Sequence, residues 1–232
     1  MHTFHLAELP ARMTATAMVR PPKTPGLLAA ECLAGMRLGA PVISPDRLQL
    51  RRFVMFAAWR DEAAVDNFLL TDPLGRRLAD GWHLRLEFVR RWGKVTEFAD
   101  LPRNASRTDP DEPVVAVTLA RMRLPELPRF IAWGRGVERQ VRDHPAATLS
   151  SAAIRPPRTV STFSIWRSAK EMTEMVFGHT DPATQAAEVS RRHHRAMAER
   201  ERRDFHHEFT TLRFRALSEH GTWLGRSNYL PR

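Results

Sequence analysis

The chain contains very little cysteine and no long hydrophobic run. A single cysteine, Cys32, among 232 residues excludes an intramolecular disulfide and suits a reducing compartment. No apolar stretch approaches the roughly 18 residues that a membrane-spanning helix needs. The first residues, MHTFHLAELPARM, lack the hydrophobic region of a signal peptide. We therefore expect a cytoplasmic protein without a transmembrane segment.

Common catalytic motifs are also absent. The sequence has no G-x-S-x-G nucleophile elbow, no Walker loop, no G-x-G-x-x-G after a strand and no H-E-x-x-H helix. These absences argue against α/β-hydrolases, P-loop nucleotidases, dinucleotide-binding enzymes and common zinc peptidases. Zinc-finger spacing and RNA-binding aromatic motifs are missing too, which argues against a nucleic-acid-binding protein.

Charge and composition indicate a globular, strongly basic protein. Hydrophobic residues make up 43% and charged residues 27%, and the net charge is +10. Arginine provides most of the positive charge, which is spread along the chain rather than concentrated in one block. Such a surface favours solubility, and it also suits an acidic protein partner, an anionic membrane surface or a nucleic acid.

A polar, proline-rich stretch divides the chain into halves of similar size. Residues 102–113, PRNASRTDPDEP, show no hydrophobic period and form the best candidate linker. We predict a first repeat over residues 1–102, a linker over 103–113 and a second repeat over 114–232. These two repeats are called the first half and the second half below.

The two halves show a similar order of elements. A Trp-Arg pair preceding an amphipathic helix occurs in FAAWRDEAAVDNF (56–68) and again in FSIWRSAKEMTEMVF (163–177). We predict opening strands at 13–19 and 114–120, helices at 25–36 and 125–141, and closing strands at 84–89 and 209–216. Cys32 falls in the first of these helices, where we expect a small buried residue. Each half then reads β-α-β-α-β, and two such sheets can cover each other. The predicted fold class is therefore α+β, with tandem ferredoxin-like repeats forming a pseudo-dimeric α+β barrel.

A histidine-rich basic segment, RRHHRAMAERERRDFHHEFTTLR, covers residues 191–213. Neutral imidazole is the commonest metal ligand in proteins, and arginine binds carboxylates and phosphates. On a helix, His193 would share one face with Ala196, Met197 and Arg200, while His194 would point about 100° away. His206 and His207 lie at the start of a strand on opposite faces, so at most one of them can face a pocket.

Four pieces of the second half resemble the spheroidene monooxygenase family, the haem-containing oxygenases of carotenoid biosynthesis. They are VVAVTLARMRLPELPRFIAW (114–133), TVSTFSIWRSAKEMTEMVF (159–177), HHRAMAERERRDFHHEFTTLRF (193–214) and GTWLGRSNYL (221–230). The resemblance extends to FVMFAAWRDEAAVDNF and WGKV in the first half. The chain departs from the family in a longer, more polar stretch at 178–192 and in the pair Phe205-His206, which bears on the mouth of the pocket.

The resemblance implies an enzyme that binds haem and oxygenates an apolar, carotenoid-like substrate with O2 and an electron donor. It places the iron ligand at His193, with His194 or His179 as alternatives. Ala196 and Met197 would leave room for the macrocycle, and Arg200 would pair with a propionate. Sheet residues such as Phe163 and Ile165 would line the distal pocket. No catalytic residue is assigned beyond these.

The resemblance also implies a ferredoxin-type electron donor, which the basic surface would suit. Three alternatives stay open: a non-catalytic haem or small-molecule carrier, a cofactor-free oxygenase, and a nucleic-acid-binding protein using the arginine-rich helix. The chain could act as a monomer or as a homo-oligomer.

Overall fold

The order β-α-β-β-α-β occurs twice along the described residues, with one additional helix in the first half. The computed structural model describes residues 1–41, 44–177 and 202–231. In the first half the elements are β1 (His2–Glu8), α1 (Ala11–Val19), β2 (Leu27–Met36), β3 (Gln49–Trp59), α2 (Glu62–Thr71), α3 (Pro73–Ala79) and β4 (Trp82–Lys94). In the second half they are β5 (Val114–Met122), α4 (Leu127–Asp143), β6 (Ala147–Arg155), β7 (Thr159–Trp166), α5 (Ala169–Phe177) and β8 (His206–Gly221).

The eight strands of the described residues form one closed antiparallel barrel. The strand order is β1-β3-β2-β6-β7-β5-β8-β4, so each half contributes four neighbouring strands in the same internal order. The halves join along β4 and β8, which pair from Trp82 to Lys94, and along β2 and β6, which pair only over Ala34–Met36. The predicted fold class, tandem ferredoxin-like α+β repeats in a pseudo-dimeric barrel, is confirmed. The bounds of the two repeats and the linker, 1–102, 103–113 and 114–232, stay a prediction.

Because side-chain direction alternates along each strand, the barrel has two differently packed surfaces. Side chains on successive strand residues point to opposite faces. One set fills the interior of the barrel, which we call the inner face, and the other set lies beneath the helices, on the outer face. In the first half, α1 packs against β2 and β3, and α3 packs against β1 and β4. In the second half, α4 packs against β6, and α5 packs against β7.

Two predictions for the first half were wrong. Residues 13–19, expected as a strand, belong to the helix α1, and residues 25–36, expected as a helix, form the strand β2. The true opening strand is β1, which begins at His2. The run GLLAAECLAGM is rich in good helix formers, but pairing with β3 along its length overrides that weak local preference. Each half also has one more strand than expected, because β2 pairs with β3 and β6 pairs with β7 as adjacent strands.

Cys32 is a buried strand residue rather than a helical one. Burial raises the pKa of its thiol to about 12, so the thiolate is scarce at neutral pH. The expectation of a small buried residue holds, although the element was wrong. In the second half the predicted strand and helix agree with β5 and α4. No helix of the described residues is long and apolar enough to cross a membrane.

Candidate functional site

The inner face of the barrel is filled by side chains. Phe4 stacks on Phe163 from across the barrel, with ring centroids 3.7 Å apart, and Ile165 is fully buried beside them. All eight strands contribute to this cluster. Phe163 and Ile165 were expected to line a pocket together with a helix face. That expectation was wrong, because these odd-numbered residues of β7 point inward while α4 and α5 cover the opposite face.

The strand register makes positions in the two halves directly comparable. Thr3 pairs with Ala57 in the first half, and Ala116 pairs with Ser164 in the second. Continuing along the strands, the outer-face position of His5 corresponds to Thr118, because His5 pairs with Met55 and His83, whereas Thr118 pairs with Thr162 and Thr211. The two outer faces can therefore be compared residue by residue.

The outer face of the first half is continuously packed. Beneath α1, α2 and α3 one buried cluster runs across the sheet and includes Phe53, Met55, Trp59 and Phe68. His5 and His83 are buried within the same layer. This helix-sheet layer therefore has the character of an ordinary core.

Among the described residues of the second half, the outer face carries two separate apolar clusters with a partly buried stretch between them. One buried cluster, around Trp166 and Met172, lies under α5, and another, around Met122 and Phe205, lies near the start of α4. Between them, Thr118, Thr162 and Thr211 are only partly buried. These three residues, which we call the threonine row, stand side by side on β7, β5 and β8, and the hydroxyl oxygens of Thr118 and Thr211 lie 3.5 Å apart.

Smaller side chains on the strands of the second half contribute to this opening among the described residues. Where the first half has Phe53, Met55 and His5, the second half has Val160, Thr162 and Thr118. Each replacement removes side-chain volume from the layer between helix and sheet. The result is a partly accessible face floored by methyl and hydroxyl groups, which could hold a flat apolar molecule and orient it through a few polar contacts.

A buried tryptophan anchors each outer face. The indole Nε1 of Trp59 donates to Thr3 Oγ1 at 2.8 Å, and that of Trp166 donates to Ser164 Oγ at 2.8 Å. The hydroxyl lies on β1 in the first half but on β7 in the second, where Ala116 stands at the position of Thr3. Each half thus satisfies the same buried donor with a different residue.

Two arginines lie against the same aromatic ring beside the threonine row. The guanidinium of Arg90 lies 4.0 Å from the ring centroid of Trp92, and that of Arg213 lies 4.5 Å from it. Arg90 and Arg213 are register partners across β4 and β8, and we call them the arginine pair. Burial, together with the nearby charge of Arg90, lowers the pKa of Arg213 to about 10, so it stays charged at neutral pH.

His206 and His207 lie at the end of this face. His206 is buried, with its Nδ1 3.1 Å from Asp204 and its ring against Phe130 and Phe209, whereas His207 is exposed. The two side chains thus lie on opposite faces of the strand, as predicted, and a pocket at either of them stays a prediction.

A buried ion cluster closes one end of the barrel, and the sequence did not indicate it. Glu31, on β2, accepts hydrogen bonds from Arg121 and from Arg155, and Arg121 also reaches Glu97 at 2.7 Å. Burial raises the pKa of Glu31, although both arginines oppose the shift. The residues of this ion cluster lie up to 124 positions apart in the sequence, and only the strand order brings them together.

The residues predicted to hold haem lie outside the described part of the chain. They are His179, His193, His194, Ala196, Met197 and Arg200. Within the described ranges, no group of three or more histidine, cysteine or acidic residues is arranged to hold a metal ion.

Comparison with known proteins gives a distant likeness in overall shape. No protein-family model and no curated protein matches the chain. A proposed monooxygenase of Fusobacterium nucleatum is 8% identical with a TM-score of 0.40, over 95% of this chain and 94% of that one. A proposed monooxygenase of Lactobacillus acidophilus is 8% identical with a TM-score of 0.38, and the match covers 95% of this chain and 96% of that one. A ferredoxin-fold protein of Listeria monocytogenes related to antibiotic biosynthesis monooxygenases is 10% identical with a TM-score of 0.28. The match covers 91% of this chain and 94% of that one.

Proteins this distant can differ in every side chain of a site. The same fold also serves unrelated functions in different proteins. What this chain does has to follow from its own residues, and the partly accessible threonine row on the outer face of the second half is the candidate ligand-binding surface.

Proposed function

We propose that the protein is a haem-dependent, monooxygenase-like enzyme that binds an apolar, polyene-like substrate on the outer face of its second half. The observation that carries the proposal is the gap between the two apolar clusters of that face, where the first half is solidly packed. The sequence resemblance supports the same half, since its longest pieces cover β5, α4, β7 and β8.

The described residues fit a flat ligand at this position. The threonine row spans three adjacent strands, so the floor is about 10 Å wide at the usual strand spacing. Small side chains along this floor would leave a slot for such a ligand. By resemblance, His193 would hold the haem iron, Ala196 and Met197 would leave room for the macrocycle, and Arg200 would pair with a propionate.

Each group of residues has a distinct task in this proposal. The apolar clusters under α4 and α5 exclude water from the two ends of the slot. The threonine hydroxyls hold a polar group of the substrate, and the tryptophan anchors keep the sheet rigid. Haem, when bound, would supply the activation of O2, with electrons from an acidic ferredoxin-type donor.

The first test is an absorbance spectrum of the protein purified with added haem. We expect a Soret band for the wild type that His193→Ala removes and that the exposed-residue control His207→Gln retains. A Soret band that survives in His193→Ala would instead assign the iron ligand to His194 or His179. The absence of a band from every sample would contradict the haem proposal and leave a cofactor-free oxygenase or a carrier.

The second test separates an enzyme from a carrier. Wild-type protein with O2, a reductant and a polyene should form an oxygenated product, detectable by mass spectrometry. Thr162→Met, which copies Met55 of the first half, should fill the slot and abolish turnover. Met55→Thr is the matched control in the other half. Substrate binding without any product would support the non-catalytic carrier instead.

A further inference from the structure

One arginine of the first half is neutralised by a helix above it. Arg85, on the outer face of β4, forms an ion pair with Asp66 at 2.5 Å and a second ion pair with Glu62. Both carboxylates belong to α2. The guanidinium is thus held between two negative charges, as a partly buried cation requires.

The second half keeps this arginine but not its partners. Arg213 corresponds to Arg85, because Ala116 pairs with Arg213 just as Thr3 pairs with Arg85. The helices above them align through their N-caps. Asp61 accepts from the backbone N–H three residues on in α2, and Ser168 does the same in α5. This alignment places Ala169 at the position of Glu62 and Thr173 at the position of Asp66.

No other described carboxylate takes over the role. Glu171, on α5, is bonded to Ser168, and Arg215, two residues further along β8, is the arginine that pairs with Glu87 and Glu112. Within the described ranges Arg213 forms no ion pair. Its only charged neighbour of consequence there is Arg90, which is also positive and lies against the same Trp92 ring.

Two like charges have therefore been placed side by side in a partly buried position. The Nε of Arg90 is buried without a hydrogen-bond partner among the described residues. Such an arrangement is unfavourable unless an anion joins it, because desolvated guanidinium groups need a counter-charge. Thr211 of the threonine row lies two residues from Arg213 on β8 and pairs with Trp92, which offers a flat apolar surface that is 38% exposed.

We propose that the arginine pair is a binding site for a carboxylate group of a flat apolar ligand, seated beside Trp92 and the threonine row. Guanidinium groups bind carboxylates in a planar, two-bond geometry, and the register places two of them side by side here. The carboxylate could belong to a substrate or to a haem propionate. The site does not depend on the proposed oxygenase activity, since either source would meet the same two guanidinium groups.

The first experiment measures binding of 2-naphthoate by titration calorimetry, with the neutral 2-naphthalenemethanol as the matched probe. We expect naphthoate to bind more tightly than the alcohol, and Arg213→Gln to weaken naphthoate by about ten- to a hundredfold while leaving the alcohol unchanged. Arg215→Gln is the control, because this arginine already has carboxylate partners. Equal affinities in wild type and Arg213→Gln, or no naphthoate binding in the wild type, would overturn the proposal.

The second experiment restores the missing counter-charge without touching either arginine. Thr173→Asp should neutralise Arg213 as Asp66 neutralises Arg85, and should abolish naphthoate binding. The isosteric Thr173→Asn should retain it. Because both variants have the same shape and helix position, equal loss in both would contradict the electrostatic explanation. Circular dichroism of both variants checks that they fold.

A third measurement distinguishes the two sources of the carboxylate. Haem and its dimethyl ester, which lacks free carboxylates, are titrated into wild type and Arg213→Gln. Selective loss of haem binding in the variant, with the ester unchanged, would assign the site to a propionate. Naphthoate binding that depends on Arg213, without any haem binding, would assign it to a substrate carboxylate while refuting the haem proposal.

Discussion

Acid should destabilise the protein steeply, because three histidines are buried as neutral imidazoles in the first half. His83 is only 5% exposed and lies between the rings of His5 and His220, with centroids 5.0 and 4.7 Å away. Burial lowers its pKa to about 4 and that of His2 to about 3. The pKa of His5, fully buried, lies well below its ordinary value for the same reason.

The size of the effect follows from proton linkage. In the unfolded chain these histidines titrate near pH 6.5, so below that pH unfolding takes up protons and acid favours the unfolded state. The stabilisation from keeping them neutral is fully present above about pH 6.5 and is lost as the pH falls toward 4. Each histidine contributes about 1.4 kcal/mol per pH unit, or about 4 kcal/mol per unit for three. Since a domain is typically stable by about 5–15 kcal/mol, unfolding should begin near pH 5.

Guanidinium chloride unfolding, followed by tryptophan fluorescence at several pH values between about 7.5 and 5, measures this slope. His83→Thr, which copies Thr211 of the second half, should reduce the slope by about a third. His207→Gln, at an exposed position, should leave it unchanged. A free energy of unfolding that is flat across this range in the wild type, or a slope that His83→Thr does not alter, would refute the reasoning.

Three further predictions concern packing and polar contacts. Ser164→Ala should lower the free energy of unfolding by about 1–3 kcal/mol, because Trp166 Nε1 loses its buried acceptor. Adding Ala116→Thr, which copies Thr3 of the first half, should recover much of that loss, and thermal unfolding of the single and double variants would show no recovery if the hydrogen bond is unimportant. Arg121→Met should cost about 3–5 kcal/mol because it leaves the buried Glu31 with one partner fewer; a loss below about 1 kcal/mol in chemical unfolding would contradict this. Thr162→Met should preserve or raise stability while it weakens ligand binding at least tenfold, since it fills space that a core would not leave open; unchanged binding would move the ligand away from the threonine row.

Periodicity and repetition in the sequence were sufficient to predict the general architecture. Most elements of the second half could be predicted from the sequence. Polar and apolar residues alternate along β5 and β7, and a proline marks the start of α4. The matching Trp-Arg pairs at Trp59 and Trp166 revealed the repeat. In the first half, α1 and β2 were exchanged, because short segments rich in alanine, methionine and leucine fit either structure until their tertiary partners are known.

The candidate site was only partly predictable. The sequence indicated the second half as the location of the site. It also predicted Phe163 and Ile165 in the pocket, but the alternating side-chain direction of β7 places both in the barrel interior. The threonine row consists of ordinary residues on three strands, and no local motif marks it. Its significance depends on comparison with Met55, His5 and His83, which requires the strand register.

The amino-acid sequence by itself determined the internal repeat, the α+β class, the absence of disulfides and the strongly basic surface, because each depends on composition or on short-range periodicity. Tertiary structure decided which face of each strand meets a helix, which arginine is neutralised and where the helix-sheet layer stays open. These features arise from contacts between residues far apart in the chain, such as Glu31 with Arg155 or Arg90 with Arg213. Such contacts exist only once the barrel has closed.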